Sequence, residues 1–429
     1  MIYLFYFVAA IGAAYFLMAK RRPDAFLVAF ISSLVYFLPG FFGYVTAPYA
    51  PNYLVEVPLL DQVYAIYILV IAAIVFFAII ADSSRVRFVS ISQVHGERGW
   101  WSNAVVFIVI LILAIVTGAN YELSVFSNDK HEMMVDLPYL HKYLVLYAGF
   151  SAIFFVIRKQ YFLAFLCFLI ISWDVYIGFR SHAAFFLIGI FVVFLYKLGP
   201  IRLISLWRVH FAGLLAAIFM FSYKGVYMTV KDGEIFAAAD KFFSINGIRS
   251  SVMGSEPFIT QAILNRVMRD NYRIPVESLV DQFLAVIPLS RSLLGISVPS
   301  FNDFFQEDLF PGLDFGMAHN WWAYWYSVTG WLGLLLGLMI LLLGCVIVNR
   351  LLDSKSSLLI ALSGMLAAIW LFYIHRNDVL YIFGQISHLV FMVTVTGVLV
   401  MVCQAIFSAG SRPRLRIRSL DDNATYSEK

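Results

Sequence analysis

The sequence predicts an all-α polytopic membrane protein, and three observations predict it. Hydrophobic residues make up 62% of the chain against 13% charged residues, and the mean hydropathy is +0.85. Both values lie outside the range of soluble globular chains. Apolar runs of roughly 20 residues recur along the sequence, the length at which a helix crosses about 30 Å of hydrocarbon. Late in the chain the pattern is interrupted by a polar, arginine-studded segment, residues 225–321.

About 11 such runs are placed near 1–19, 24–45, 61–81, 102–119, 140–157, 161–179, 182–198, 208–224, 322–348, 356–374 and 379–407. The chain therefore divides into eight spans over 1–224, one large loop over 225–321, three spans over 322–407 and a basic tail over 408–429. Orientation follows from Lys and Arg, which accumulate on the cytoplasmic side. Lys20, Arg21 and Arg22 close the first span. Counting alternately, the same side collects Arg85, Arg87, Arg98, Arg158, Lys159, Lys197, Arg202, Arg208, Arg350, Lys355 and the tail residues Arg412, Arg414, Arg416 and Arg418. The opposite short loops hold Glu56, Asp61, Glu122, Asp129, Glu132 and Asp136 against Lys130 and Lys142. The expectation is an outward amino terminus, a cytoplasmic carboxyl terminus and an outward-facing large loop.

Residues 1–19 are read as a retained span, because a cleavable signal carries its positive charges before the apolar stretch and here they follow it. Cys167, Cys345 and Cys403 all fall inside predicted spans, which offers neither a disulfide framework nor a cysteine metal site. The net charge of +4 comes from the inside loops and tail. It is a topology signal and not a nucleic-acid footprint, and no Walker-type glycine loop is present. Trp100, Trp101, Trp321, Trp322 and Trp331 lie at or near span ends, where aromatic belts anchor helices; the second pair also adjoins His319.

The large loop is expected to be a folded cap. In 257–269, Phe258, Ile259, Ala262, Ile263 and Val267 recur at helical spacing, with Gln261, Asn265, Arg266 and Arg269 facing elsewhere. Pro257 suits a helix start. A second amphipathic piece, 276–287, carries Leu279, Phe283 and Ile287 on one face, and both segments are expected to lie along the membrane interface. Pro299 to Gly316 reads as irregular loop.

Arginine near a bilayer marks a headgroup contact or a functional site. Arg180 follows a span and is open to either snorkelling at a helix end or function. Arg376 lies in His375-Arg376-Asn377-Asp378, a short outward turn in which Asp378 is close enough to pair with it. Arg291 sits between apolar residues in Ser290-Arg291-Ser292. Arg249, Arg266, Arg269 and Arg273 read as ordinary loop charges or as further members of a cluster. Guanidinium forks bind phosphate oxygens bidentately and stay charged, so several together would hold a pyrophosphate. Charge developing on that leaving group during glycosyl transfer can be stabilised without a metal. His319, in Ala318-His319-Asn320, is then a candidate base toward an incoming hydroxyl, or else an interfacial histidine bonded to backbone. Asp174, near the outer end of the sixth span, reads as a polar helix contact. His375 and Asp314 are secondary acid/base candidates.

Three local patterns carry a resemblance. Ile177-Gly178-Phe179-Arg180-Ser181 looks like a Gly-x-Arg segment opening a span, and Tyr373 to Asp378 looks like a late Arg-x-Asp turn. Gly316-Met317-Ala318-His319-Asn320, followed by Tyr326, Gly330 and Gly333, is similar to the segment that enters the span after a large periplasmic loop. In this order and topology the chain resembles, over most of its length, the Wzy-type polymerases of O-antigen and other repeat-unit polysaccharides. These are relatives of the O-antigen ligases in the glycosyltransferase C superfamily.

The resemblance implies a GT-C-like fold in the bacterial inner membrane, and a metal-independent, cofactor-free enzyme that joins undecaprenyl-pyrophosphate-linked oligosaccharides at the periplasmic face. Arg180, Arg291 and Arg376 would contact pyrophosphate and saccharide, and His319 would assist the acceptor hydroxyl. Asn320, Asp378, Arg249, Arg273, Tyr324 and Tyr326 would bind substrate. Implied partners are the lipid-linked donor and acceptor, the bilayer, a chain-length regulator and a flippase, with no nucleic acid. Many repeat-unit polymerases carry an acid where this chain has Tyr324, and the His319-Asn320 pair is closer to the ligases, so the base stays open. The alternatives are a ligase moving polymer onto lipid A-core and, from another class, a lipid-linked oligosaccharide flippase or transporter.

Overall fold

Backbone amides inside hydrocarbon have no water to bond, so runs this apolar must close their hydrogen bonds along a helix. The computed structural model of the chain describes all residues except 21, 51–52, 84–99, 122–137, 139, 178, 200, 208–243, 288–297, 314–315 and 411–429. The described residues are mostly helical. In chain order they form α1 (Ile2–Ala14, continued by a π-helical turn to Ala19), α2 (Ala25–Tyr36), a hairpin of β1 (Tyr44–Ala50) and β2 (Tyr53–Pro58), α3 (Asp61–Ser83), α4 (Trp100–Ala119), α5 (Leu140–Ile157), α6 (Tyr161–Ile177) and α7 (Ser181–Lys197). The loop contributes α8 (Ile245–Met253), α9 (Glu256–Arg269), α10 (Glu277–Val286) and α11 (Phe301–Leu309), and α12 (Trp321–Thr329) begins where it ends. It is followed by α13 (Trp331–Leu352), α14 (Ser357–Leu366, continued to Arg376 by π and 3-10 turns) and α15 (Val379–Gly410).

Seven helical runs among the described residues are long and apolar enough to cross a membrane: Ile2–Ala19, Asp61–Ser83, Trp100–Ala119, Leu140–Ile157, Trp331–Leu352, Ser357–Arg376 and Val379–Ile406. The shorter apolar helices α2, α6 and α7 fall on three further predicted spans. The predicted span at 208–224 lies outside the described residues. The run Ser357–Arg376 and α5 are the most enclosed and form the centre of the bundle. α7 crosses α14 where both carry glycine. A Cβ on Gly189 would lie 2.9 Å from the Gly364 carbonyl oxygen, and one on Gly364 would lie 2.8 Å from that of Gly189. Close backbone approach of this kind replaces the hydrophobic effect as the source of helix association in lipid.

Polar groups gather at the two ends of the bundle. At one end Lys20 pairs with Asp24 at 3.0 Å and Asp82 at 2.8 Å. There too Arg22 lies 3.8 Å from Asp353, to which Tyr196 donates its hydroxyl. The other end holds the helix termini that carry the candidate residues.

Four expectations are corrected by the structure. The antiparallel hairpin, Tyr44 opposite Pro58 and Val45 opposite Val57, is a β element in a chain expected to be all helical. The predicted span 322–348 is two helices, broken at Gly330 with φ +66°. A Cβ on Gly333 would fall 1.9 Å from the Trp325 carbonyl oxygen, so glycine is required for α13 to fold back along α12. The stretch from Pro299 to Gly316 is not all irregular, because Ser300 and Asp303 form a reciprocal capping box that starts α11. Finally, the polar residues of α9 do not form one wet face. Gln261 and Asn265 are buried: Tyr67 donates its hydroxyl to Gln261 at 3.0 Å, while Asn265 accepts from Leu60 N at 3.0 Å and donates to Pro58 O at 3.1 Å. The amides that looked like a polar face fasten the loop onto α3 and the hairpin.

Candidate functional site

The first turn of α15 organises the site. Asp378 precedes it as N-cap, its Oδ1 accepting from Tyr381 N at 2.8 Å and its Oδ2 from Phe301 N at 3.1 Å. One buried carboxylate thus serves the amino ends of α15 and α11, where helix dipoles favour negative charge. The same Oδ2 lies 3.6 Å from His319 Nδ1. Asp378 therefore faces His319, at ion-pair and not hydrogen-bond distance, and does not pair with Arg376, the neighbour suggested by the sequence. His319 sits on the extended approach to α12 and keeps 19% of its side chain exposed against 1% for Asp378, so the imidazole is the accessible member of the pair.

Arg376 finds its acid in the loop. Its Nε lies 2.5 Å from Glu256 Oε1, with about a third of each side chain exposed (35% and 36%). Glu256 opens α9 next to the N-cap Ser255, and the Tyr36 hydroxyl lies within its electrostatic reach. The guanidinium stands 5.8 Å over the Tyr373 ring, and Tyr381 lies within its electrostatic reach. A charged pair walled by three tyrosines results.

Arg180 is exposed and is the N-cap residue of α7. Its neighbour Ser181 lies within electrostatic reach of the Tyr381 phenol and Phe185 of α7 packs edge-on against Tyr373 at 4.9 Å, so the start of α7 stands beside the turn that Asp378 caps. Arg376, His319 and Asp378 therefore meet at one helix start, and Arg180 caps the helix beside it. Arg291 and Asp314 lie outside the described residues.

The remaining candidates are placed differently. Asn320 is fully buried as the N-cap of α12, accepting from Ala323 N and donating to Thr260 O, both at 2.9 Å. Arg273 donates to the carbonyl of Tyr326, bonds Asn271 at 2.8 Å and stacks over the Tyr326 ring at 4.4 Å, holding the carboxyl end of α12. Arg249 is exposed on α8, and Arg266 pairs with Asp270 at 2.6 Å. Tyr324 is fully buried and its hydroxyl has no hydrogen-bond partner among the described residues. Burial, with the Asp378 charge nearby, pushes its phenol well above the usual range. His375 is closed off: Trp322 donates to its Nδ1 at 2.9 Å and its Nε2 faces Ser33 at 3.2 Å. Because Ser33 gives its own proton to Ala29 O, that Nε2 carries the hydrogen and the ring is neutral with both nitrogens engaged.

Comparison with protein-family models, curated proteins and solved structures finds no match. The geometry therefore stands by itself.

Sequence reasoning missed a second polar assembly at the same end of the bundle. Asp174, fully buried, accepts from His141 Nε2 at 2.8 Å on one oxygen and from His182 Nδ1 at 2.9 Å on the other. His141 Nδ1 meets the Tyr121 hydroxyl at 2.6 Å. The chain Tyr121–His141–Asp174–His182 joins adjacent ends of α4, α5, α6 and α7 and satisfies a carboxylate that would otherwise be costly to bury. Rings then connect it to the arginine site, since His182 packs on Phe185, and Phe185 on Tyr373 at 4.9 Å. Glu256 was equally unmarked, because an acid before proline at a helix start reads as ordinary capping.

Proposed function

We propose that the chain is a repeat-unit polysaccharide polymerase of the inner membrane, a glycosyltransferase that takes undecaprenyl-pyrophosphate-linked oligosaccharides at the periplasmic face. The observation that carries this reading is Arg376 and the facing His319 and Asp378 at the start of α15, with Arg180 capping the helix beside it. It places anion-binding guanidinium and a candidate proton acceptor at one end of an apolar bundle, where a lipid-linked pyrophosphate presents its headgroup. The α7 start adds a helix dipole that favours negative charge beside Arg180.

In the proposed reaction the acceptor hydroxyl oxygen attacks the anomeric carbon of the donor sugar. The bond from that carbon to the pyrophosphate oxygen breaks, and the leaving group departs with the electron pair. Arg376 and Arg180 oppose the charge that accumulates there. The hydroxyl proton passes to His319, and the Asp378 carboxylate balances the imidazolium. Phosphate has to compete with Glu256 for Arg376, so this partly exposed pair is the entry point of the anion.

The test is the lipopolysaccharide or capsule banding pattern of a strain deleted for the gene, beside the complemented strain. A single repeat unit on core supports polymerase action. Polymer accumulating on the carrier lipid would make the protein a ligase, and an unchanged ladder would remove this glycan as its product.

A further inference from the structure

Far from the arginine site, α5 and α7 part to leave an apolar groove of about 380 Å³ on the flank of the bundle. Its walls are Ile153 and Ile157 from α5 and Leu187, Phe191 and Phe194 from α7, and it ends at Lys197. From Leu187 to Lys197 the helix rises about 15 Å, half of the roughly 30 Å hydrocarbon thickness. The groove is thus the depth of one leaflet. Leu187, Phe191 and Phe194 are exposed, so it opens sideways, toward the bilayer.

Its mouth is basic. Lys159 lies within electrostatic reach of Lys197, and among the described residues neither ammonium has a carboxylate partner. A lysine that ends an apolar slot, with a second lysine in its electrostatic field, favours an anion that brings its own hydrocarbon. This end of the bundle also carries the Tyr196–Asp353 bond, beside the basic residues that the positive-inside pattern assigns to the cytoplasm.

The backbone of Lys159 is the third observation. Gln160 N bonds Phe155 O at 2.8 Å and Lys159 N bonds Val156 O at 3.1 Å, the hydrogen-bond pattern of a Schellman close to a helix. Lys159 occupies its left-handed position with φ +60°, where glycine is the unstrained residue. The turn after α7 uses glycine at the equivalent place, Gly199 with φ +74°. A lysine held in a conformation that costs energy calls for a compensating role, and here the strain accompanies a charge delivered to the groove mouth.

We propose that this groove is a binding site for an anionic glycerophospholipid of the cytoplasmic leaflet, one acyl chain lying between α5 and α7 and the phosphate held by Lys159 and Lys197. The site is separate from the polymerase reading and does not depend on it.

The decisive variant is Lys159→Gly, because strain relief and lipid loss pull in opposite directions. Wild type, Lys159→Gly, Lys159→Gln and Lys197→Gln are purified in detergent, and thermal unfolding is followed with added phosphatidylglycerol, phosphatidylcholine or inorganic phosphate. Native mass spectrometry reads bound lipid in parallel. Without lipid, Lys159→Gly is expected to melt at or above the wild-type temperature. With phosphatidylglycerol the wild type is expected to gain stability, and each variant to bind that lipid at least fivefold more weakly. Lys159→Gln keeps the left-handed strain and removes the charge, so it reports on the lipid even where the glycine variant alters the turn. Equal phosphatidylglycerol binding by wild type and all three variants would overturn the proposal. So would an equal response to phosphatidylcholine, or a phosphate-only response as large as that to the lipid.

Discussion

Arg376 Nε lies 2.5 Å from Glu256 Oε1, and that contact fastens the short turn between two spans to the first residue of a helix in the large loop. In the proposed reaction the pair would couple anion binding to loop position. An arginine aimed at a leaving-group phosphate acts through a preorganised charge, and removing one such donor costs about 10²–10³ in rate. Arg376→Ala is expected to abolish long polymer while the protein still inserts, with Arg376→Lys only partly restoring it, because lysine lacks the planar fork. Glu256→Gln releases the guanidinium and is expected to lower the apparent KM for the lipid-linked donor. Chain-length profiles of complemented strains and steady-state rates on purified protein check both. Wild-type polymer from Arg376→Ala would remove the arginine from the site.

His319 and Asp378 make separable predictions. His319→Ala should reduce turnover by about 10²-fold, the contribution of a positioned proton acceptor, with little change in melting temperature, since the ring is the exposed member of the pair. Asp378→Asn should act mainly on stability. Its two oxygens accept from two helix starts, and an amide offers only one acceptor, so a loss of about 1–2 kcal/mol follows. Thermal unfolding and turnover measured on the same preparations separate the two effects.

Tyr324 carries a buried hydroxyl without a partner among the described residues. Tyr324→Phe removes a desolvated polar group and keeps the ring that packs edge-on against Phe301 at 5.5 Å. Stability should be unchanged or higher by about 1 kcal/mol. A lower melting temperature would show that the hydroxyl has a partner after all.

The crossing of α7 and α14 tests the packing that carries the site. With 2.9 Å between a Gly189 Cβ and the facing carbonyl oxygen, Gly189→Val cannot be absorbed by a side-chain rotation, because the obstacle is backbone. The expected outcome is a loss of about 3 kcal/mol or failure to accumulate in the membrane, read by fluorescence-detected size exclusion. Gly118, with nothing near its Cβ position, is the control and should tolerate alanine.

Hydropathy made ten of the apolar helices legible, because span length and composition are set by the bilayer and not by tertiary contacts. It failed where tertiary contacts decide. The break at Gly330 is invisible in an apolar run that continues through it, and Gln261 and Asn265 look like a wet face until the hairpin covers them. The same limit applies to the site. Arg180, His319, Arg376 and Asp378 stand out as polar residues beside apolar runs, so they could be named in advance. Their partners could not, since Glu256 is 120 positions from Arg376 and Asp378 prefers His319 over the arginine two residues away.

Asp174 gives the last prediction. Its carboxylate is fully buried and each oxygen takes one imidazole N–H, so the group is satisfied only while both histidines remain. Asp174→Asn retains one acceptor and turns an amide N–H₂ toward a ring nitrogen that already carries hydrogen. Breaking a buried charged contact in this way costs about 3 kcal/mol. His182→Phe alone leaves one carboxylate oxygen without its donor and should cost a similar amount. The double variant Asp174→Asn/His182→Phe should then be less destabilised than the sum of the singles, because the amide no longer faces the ring nitrogen it conflicts with. Unfolding of the four proteins in detergent gives the coupling directly. Strict additivity would show that the two side chains do not share a hydrogen bond, and would detach the start of α7, with Arg180, from the network that positions it.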